Sequence, residues 1–194
     1  MKKVIVYFHG YGSSPNSDKV TRLRQEKNWE TYAFPINIDP VVAFEQLSGN
    51  IDMVLADNPH DEDILLVFVG TSLGAWWASK MAKVYTCHAV LINPSIDPET
   101  SLLKYDVEPV ICQKYHMFAP YHGNKYFFAE NDEVIPNEEF RNYLIDAEYN
   151  VTVTPNTDHR FGGEAFEGVI KYIDQYCAIV ELMNEINEEY RVVD

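Results

Sequence analysis

The sequence is poor in cysteine and in basic residues. Its 194 residues include three cysteines and 15 lysines and arginines, against 30 aspartates and glutamates, and the formal net charge is −15. Cys87, Cys112 and Cys177 are far apart and form no C-x-x-C pair, which favours a reducing compartment over a disulfide framework or a zinc site. The surplus of negative charge repels phosphate backbones and anionic lipid headgroups, so we expect neither nucleic-acid binding nor membrane-surface binding.

Long apolar runs are also missing. No stretch approaches 18 apolar residues, and the opening MKKVIVYFHG has only five apolar residues between Lys3 and His9, too few for a signal peptide. We therefore expect a soluble, cytoplasmic protein whose first apolar run is a strand. The composition, with 46% apolar, 13% aromatic and 23% charged residues, is that of a folded globular chain,. Its length suits a single domain over 1–194.

Short apolar runs alternate with longer segments of helical pattern, which predicts a doubly wound α/β fold. We expect a mainly parallel six-stranded sheet with helices on both faces. Segment 94–124 contains four prolines and has no clear period, so we expect it to form a short lid of small helices. The candidate strands are 3–8, 31–34, 63–69, 87–92, 125–129 and 151–154. The candidate helices are about 17–28, 41–57, 73–85, 136–147 and 163–188.

One short motif has the spacing of a nucleophile elbow. Residues 70–74 read GTSLG, after the apolar run ILLVFV and before a helical segment. The pattern G-x-S-x-G between a strand and a helix is typical of a serine held clear of the backbone on a sharp turn. Ser72 is therefore the candidate nucleophile. A tight turn that contains an incidental serine would give the same pattern, so the interpretation depends on partners elsewhere in the chain.

Candidate partners follow in the order expected for this fold, an acid and then a histidine. A serine hydroxyl needs a base to accept its proton, and the base needs a third group to orient it. Asp132, after the strand 125–129, is the preferred acid, and Glu130 and Glu133 are the alternative acids. Asp132 could instead serve only to cap the next helix. His159, after the last strand, is the candidate base, whereas the adjacent Asp158 is interpreted as a surface residue.

A glycine-rich loop and several aromatic residues complete the candidate site. The residue after the nucleophile is expected to supply one oxyanion donor, and HGYG at 9–12 is expected to supply the other. We therefore assign the two donors to the backbone amides of Leu73 and Tyr11. His9 itself is interpreted as a structural hydrogen-bonding residue. Trp76, Tyr11 and Phe118 are candidate substrate contacts, although aromatic side chains at such positions more often pack a core. The remaining histidines, which show no metal-ligand spacing, are His60, His88, His116 and His122.

Taken together, these blocks resemble a known family. YFHGYGSSPNSDK, GTSLGAWWA, LINPSI, ENDEVIP and DHRF are similar, in the same order, to blocks of the small YqiA-like esterases of the α/β-hydrolase superfamily. The resemblance extends from residue 4 to about 175. It implies an α/β-hydrolase fold and hydrolysis of esters or thioesters without a cofactor. Carried over position by position, it makes Ser72 the nucleophile, Asp132 the acid and His159 the base.

The sequence therefore predicts a serine hydrolase that cleaves carboxylic esters of small or acyl-chain substrates through an acyl-enzyme. A thioesterase or a peptidase would use the same triad, and a non-catalytic α/β-hydrolase-fold binding protein is the alternative from another class. We expect a small-molecule ester or thioester as the partner, with no metal and no cofactor. Ala75 and the pair Trp76-Trp77 depart from the glycine and the two tyrosines of the family pattern, which affects the expected substrate preference.

Overall fold

The computed structural model describes residues 1–57 and 63–191. His60 and the last three residues of the acidic tail lie outside the described residues. The strands are β1 (Lys2–Phe8), β2 (Glu30–Ala33), β3 (Ile64–Thr71), β4 (His88–Ile92), β5 (Lys125–Asn131) and β6 (Asn150–Asp158). The helices are α1 (Asp18–Arg24), α2 (Pro40–Ala56), α3 (Leu73–Tyr85), α4 (Pro98–Leu103), α5 (Pro109–Cys112), α6 (Glu138–Asp146) and α7 (Glu164–Arg191).

The six strands form one parallel sheet in the order β2-β1-β3-β4-β5-β6. The prediction of a doubly wound α/β sheet is confirmed. Because all strands run in one direction, their carboxyl ends meet at one edge of the sheet, where ligands bind in folds of this kind. The loops that follow β1, β3, β5 and β6 carry the candidate site residues to that edge.

Alternate side chains of the strands enter two cores, one on each face of the sheet. On β1, Val4, Val6 and Phe8 face one core, and Ile5 and Tyr7 face the other. The first core is covered by α2 and α3 together with residues of the 94–124 segment. The second core is covered by α1 and α7. The predicted apolar stripe of the last helix packs there, and its members are Phe166, Ile170, Ile173, Cys177 and Val180.

Two helices begin or end where a side chain interrupts the predicted run. Helix α1 ends at Arg24 rather than near residue 28, and the indole of Trp29 donates to the carbonyl of Leu23 at 3.3 Å. Helix α6 begins at Glu138 rather than near 136. The carboxylate of Asp132 accepts hydrogen bonds from the amides of Val134 and Ile135, so the chain makes a turn before the helix starts.

The segment 94–124 contains the short helices α4 and α5 and packs against the sheet through its apolar side chains. The amide of Phe118 donates to the carbonyl of Ile96 at 2.8 Å, which closes the segment on itself. None of the helices in the described part of the chain combines the length and the apolar character needed to cross a bilayer.

Candidate active site

Ser72 occupies the turn between β3 and α3 with a backbone that few residues adopt. Its φ is 58° and its ψ is −122°, a region in which a non-glycine residue is strained. The amide of Ser72 donates to the carbonyl of Ile92 at 2.9 Å, and its carbonyl accepts from the amide of Ser95 at 3.1 Å. The last residue of β4 and the loop after it therefore hold the strained turn on both sides.

Gly70 and Gly74 are required by close approach of the backbone. A Cβ atom added to Gly70 would lie 2.2 Å from the carbonyl oxygen of Gly74, and one added to Gly74 would lie 2.0 Å from the carbonyl oxygen of Phe8. Both distances are far below van der Waals contact, so no side chain fits at either position without a backbone shift. The spacing of the motif thus has a steric cause in this fold.

The loop after β1 lies against the turn. A Cβ atom on Gly10 would lie 3.3 Å from Cβ and 3.8 Å from Oγ of Ser72, so the loop passes next to the hydroxyl. Within the described residues, the amides of Tyr11 and Leu73 donate no hydrogen bond to a protein acceptor, so both are available to an external oxygen. His9 bonds through Nδ1 to the carbonyl of Gly10 at 3.0 Å, as expected for a residue that supports the loop.

Asp132 and His159 are joined directly. Nδ1 of His159 lies 2.9 Å from Oδ1 and 2.8 Å from Oδ2 of Asp132. The side chain of His159 is 15% exposed and that of Asp132 is 7% exposed. Because Nδ1 donates to the carboxylate, the neutral ring presents Nε2 as a hydrogen-bond acceptor. The carboxylate is fixed in turn by the amides of Val134 and Ile135, at 3.0 and 2.8 Å.

The alternative acids bind backbone amides instead of the imidazole. Glu130 accepts from the amide of Asn156 at 2.9 Å, and Glu133 accepts from the amide of His159 at 3.2 Å. Asp158 is exposed and accepts from the amide of Arg160. The structure therefore places only Asp132, of these four carboxylates, on the ring of His159.

Ser72 and His159 line two of the cavities at this edge of the sheet. The larger has a volume of about 590 Å³ and lies between the β1–α1 region and the amino-terminal end of α7. The smaller, about 240 Å³, lies under the 94–124 segment. Within the described residues no hydrogen bond joins the Ser72 hydroxyl to His159, and such bonds are often long in ligand-free enzymes. Tyr11 also lines both cavities.

Trp76 and Phe118 are not brought to the site. The indole of Trp76 is 4% exposed, packs against Trp77 and Tyr115, and donates to the carbonyl of His116 at 2.8 Å. Phe118 is 9% exposed and packs against Tyr126. Neither residue is among those that line the two cavities. The structure thus places both side chains in the core instead of in these cavities, because Tyr115 and His116 cover Trp76 and Phe118 packs against β5.

Other residues also line the cavities, and of those in the smaller one the sequence singles out only Tyr105, as an aromatic residue of the expected lid. The smaller cavity is walled by apolar side chains of α4, of the residues just after it and of the turn before α6, and these are Leu102, Tyr105, Val134 and Ile135. The larger has Tyr7 and Thr71 in its wall, joined by a hydrogen bond of 2.9 Å. It also has charged residues from α1 and from the loop after β6, among them Lys19 and Arg160. In the described residues, no group of histidine, cysteine and carboxylate side chains could hold a metal ion.

Comparison with known proteins identifies the family. A family model described as "Uncharacterised protein family (UPF0227)" matches residues 4–122. The chain belongs to the UPF0227 family. A UPF0227 protein of Shewanella baltica is 26% identical over 176 residues, which cover 81% of this chain and 91% of the relative. One of Shewanella oneidensis is 29% identical over 110 residues, covering 51% and 55% of the two chains.

Solved structures show the fold of this UPF0227 member. The Pyrococcus furiosus esterase Pf2001 superimposes with a TM-score of 0.69 at 16% identity, over 91% of this chain and 82% of that one. Est1E from Butyrivibrio proteoclasticus gives 0.63 at 14% identity, over 91% and 88%. An alpha-beta serine hydrolase homologue from Coxiella burnetii gives 0.60 at 20% identity, over 86% and 80%. The expected α/β-hydrolase fold is confirmed.

Proposed function

We propose that this UPF0227 protein is a serine hydrolase that cleaves carboxylic esters through an acyl-enzyme. The observation that carries the proposal is the Asp132–His159 hydrogen bond beside cavities that are shared with the strained Ser72. The position of Ser72, Asp132 and His159 at one edge of the sheet, although they come from three distant parts of the chain, supports the proposal. The esterases among its structural neighbours make ester hydrolysis the first activity to measure.

The proposed reaction follows from the roles of the three side chains. Nε2 of His159 accepts the proton of Ser72 while Oγ attacks the ester carbonyl carbon, and Asp132 stabilises the imidazolium that forms. Nε2 then gives the proton to the leaving alkoxide as the C–O bond breaks. A water molecule attacks the acyl-serine with His159 again as the base, which releases the acid and restores the hydroxyl.

The amides of Tyr11 and Leu73 are the proposed oxyanion donors. Both lie next to Ser72 and bind no protein acceptor in the described residues. Charge develops on the carbonyl oxygen during attack, and donors fixed in advance stabilise it without reorganisation. Each such donor contributes about 3 kcal/mol in serine hydrolases of known mechanism.

The test is turnover of nitrophenyl esters by the wild-type protein, Ser72→Ala and a matched control, Ser48→Ala. Ser48 lies on α2, and its hydroxyl has no partner in the described residues. We expect Ser72→Ala to lower kcat by a factor on the order of 10⁶ and Ser48→Ala to retain it. A fluorophosphonate probe should label the wild-type protein and not Ser72→Ala. Normal turnover by Ser72→Ala would contradict the proposal.

Adding acyl thioesters, anilides and peptides to the substrates separates the alternatives. A thioesterase would prefer acyl thioesters over oxygen esters of the same acyl chain, and a peptidase would cleave anilides and peptides. A non-catalytic binding protein would be folded yet resist the probe.

A cytoplasmic location is also proposed, and the three free cysteines support it,.

A further inference from the structure

The lining of the larger cavity has more cationic than anionic side chains. Five of its lining residues carry charge, three of them cationic, in a chain that has twice as many acidic as basic residues. They are Lys19, Arg22, Arg160, Asp18 and Glu167. Two of them neutralise each other: Arg22 binds both carboxylate oxygens of Glu167, at 2.6 and 2.7 Å. A further bond of 2.6 Å joins Arg22 to Glu26.

Lys19 and Arg160 keep donor capacity. Nζ of Lys19 donates to the carbonyl of Arg160, which leaves ammonium hydrogens free. Burial lowers the pKa of Lys19, although Asp158 and Asp18 nearby act to raise it, so an anion in the cavity would relieve the cost of its desolvation. Within the described residues, the guanidinium of Arg160 makes no hydrogen bond and no ion pair.

A polar atom in the same wall also lacks a partner. The hydroxyl oxygen of Ser17 is buried and has no hydrogen-bond partner in the described residues, yet the residue lines the larger cavity. Such buried groups are nearly always satisfied by protein, water or ligand. A ligand that brings acceptor oxygens would find free donors at Lys19 and Arg160 in the same wall.

The smaller cavity differs from the larger one in charge. Within the described residues, its lining holds one lysine, the exposed Lys104, and no arginine or carboxylate side chain. A volume of about 240 Å³ is below the range of roughly 300–1,000 Å³ typical of pockets for drug-sized ligands. An acyl group must stay on Ser72 while the alcohol departs and water enters. The confined cavity, with its single lysine, therefore suits a small acyl group, and the larger cavity, with its cationic side chains, suits an anionic leaving group.

We propose that the larger cavity binds the leaving group and selects one that carries a carboxylate or a phosphate, through Lys19 and Arg160. The smaller cavity then holds a short apolar acyl group. This inference rests on the proposed ester hydrolysis and adds the class of substrate. Charge-assisted hydrogen bonds from an ammonium and a guanidinium are the usual means of recognising both kinds of anion.

The test compares acetate esters that differ only in the leaving group. 4-Acetoxybenzoate and 4-acetoxyphenyl phosphate carry the anion, and 4-acetoxybenzamide is the neutral match. We expect wild-type kcat/KM to favour the anionic esters about tenfold, chiefly through KM, because one well-placed charged contact contributes about this much. Arg160→Gln and Lys19→Gln should each remove most of this preference, and Lys19→Arg should restore it. Comparing the preference between variants cancels the intrinsic reactivity of each ester.

Arg24→Gln is the matched control. Arg24 is on the same helix as Lys19, is exposed and lines neither cavity, so its removal should keep the tenfold preference. Phenyl hemisuccinate, with its anion on the acyl side, should be a poorer substrate than phenyl butanoate. Competitive inhibition by 4-hydroxybenzoate but not by 4-hydroxybenzamide provides a measurement that does not depend on turnover of the variant.

The outcomes separate this inference from the proposed function. If 4-acetoxybenzamide is hydrolysed by a Ser72-dependent reaction but the anionic esters gain no preference, the function stands and the inference is overturned. An equal preference in Arg160→Gln, Lys19→Gln and wild-type protein would overturn it too. A difference between the carboxylate and phosphate esters identifies which anion the cavity takes. If no ester is hydrolysed, the proposed function fails and the inference fails with it.

Discussion

The side chain of Asn93 connects the end of β4 to the loop that carries the candidate base, since its Nδ2 donates to the backbone carbonyl of His159 at 3.2 Å. Its Oδ1 accepts from the amide of Ala129 on β5 at 2.7 Å. Asn93 is fully buried and has a φ of 44°, a conformation that asparagine tolerates better than most residues. This amide thus joins the backbone of His159 to β4 and β5, in addition to the bonds that His159 makes with Asp132 and Glu133.

We expect Asn93→Gly to lower kcat about tenfold, an effect of about 1.4 kcal/mol on the barrier, with KM changed little. Glycine accepts the positive φ but loses both hydrogen bonds, so the free energy of unfolding should fall by about 1–3 kcal/mol. Asn93→Ala should lose about 1 kcal/mol more, because alanine is strained at this φ. Steady-state kinetics and urea unfolding measure the two effects. A folded Asn93→Gly with wild-type kcat would show that the bond to His159 does not position the base.

The role of Asp132 can be tested by a change that keeps its shape. In Asp132→Asn the amide cannot hold Nδ1–H of His159 as the carboxylate does, and an equivalent change lowers kcat about 10⁴-fold in a well-studied triad enzyme. Glu130→Gln is the control, because the bond that Glu130 makes within the described residues is to a backbone amide, that of Asn156. Its kcat should stay within tenfold of wild type. If Glu130→Gln lost more activity than Asp132→Asn, the orienting acid would have been assigned to the wrong residue.

Gly74→Ala should lower the free energy of unfolding by about 3 kcal/mol or more, at the upper end of the cost of overpacking. The added methyl group would lie 2.0 Å from the carbonyl oxygen of Phe8, so β1 and α3 would have to separate. Gly49→Ala is the matched control on α2, where nothing lies within 4 Å of the added group. It should stabilise the protein by about 0.5–1 kcal/mol. Equal unfolding midpoints for the two variants would contradict the steric explanation of the motif.

Trp76→Ala should cost about 3–5 kcal/mol of stability, as is usual for truncation of a buried tryptophan. It should leave the relative rates on acetate, butanoate and octanoate esters unchanged, because the indole packs in the core and not in the cavities. Tyr105→Ala is the comparison. Tyr105 is 48% exposed and lines the smaller cavity, so its removal should favour longer acyl chains at little cost in stability. A chain-length profile altered by Trp76→Ala alone would contradict this placement.

His88 should make the protein less stable in mild acid. Burial lowers its pKa below the ordinary value of 6.5, against a hydrogen bond to the carbonyl of Gly123 that raises it. Below about pH 6.5 the unfolded chain therefore binds a proton that the folded protein resists, and the free energy of unfolding falls as the pH falls,. His88→Gln should make the urea-unfolding free energy less dependent on pH between 8 and 5. Parallel pH curves for the two proteins would refute the assignment.

A short sequence pattern predicts the turn at Ser72, because the G-x-S-x-G spacing follows from backbone contacts at Gly70 and Gly74. The edge of the sheet to which Ser72, Asp132 and His159 belong is also predictable, because each follows or ends a strand of one parallel sheet. The contributions of Lys19 and Arg160 depend on how α1 packs beside α7, which no short pattern encodes. The core position of Trp76 could not be predicted, because the aromatic pair after the elbow does not show that Tyr115 and His116 of the 94–124 segment pack over it.

The backbone at Ser72 places two requirements on one residue. With a φ of 58° at this position, glycine would be the least strained residue, because it has no Cβ atom to clash with the backbone. Only a side chain with a hydroxyl gives the proposed chemistry, so reactivity at this turn is maintained at the expense of resistance to heat. Selection of variants for thermal tolerance alone would therefore tend to replace the proposed nucleophile.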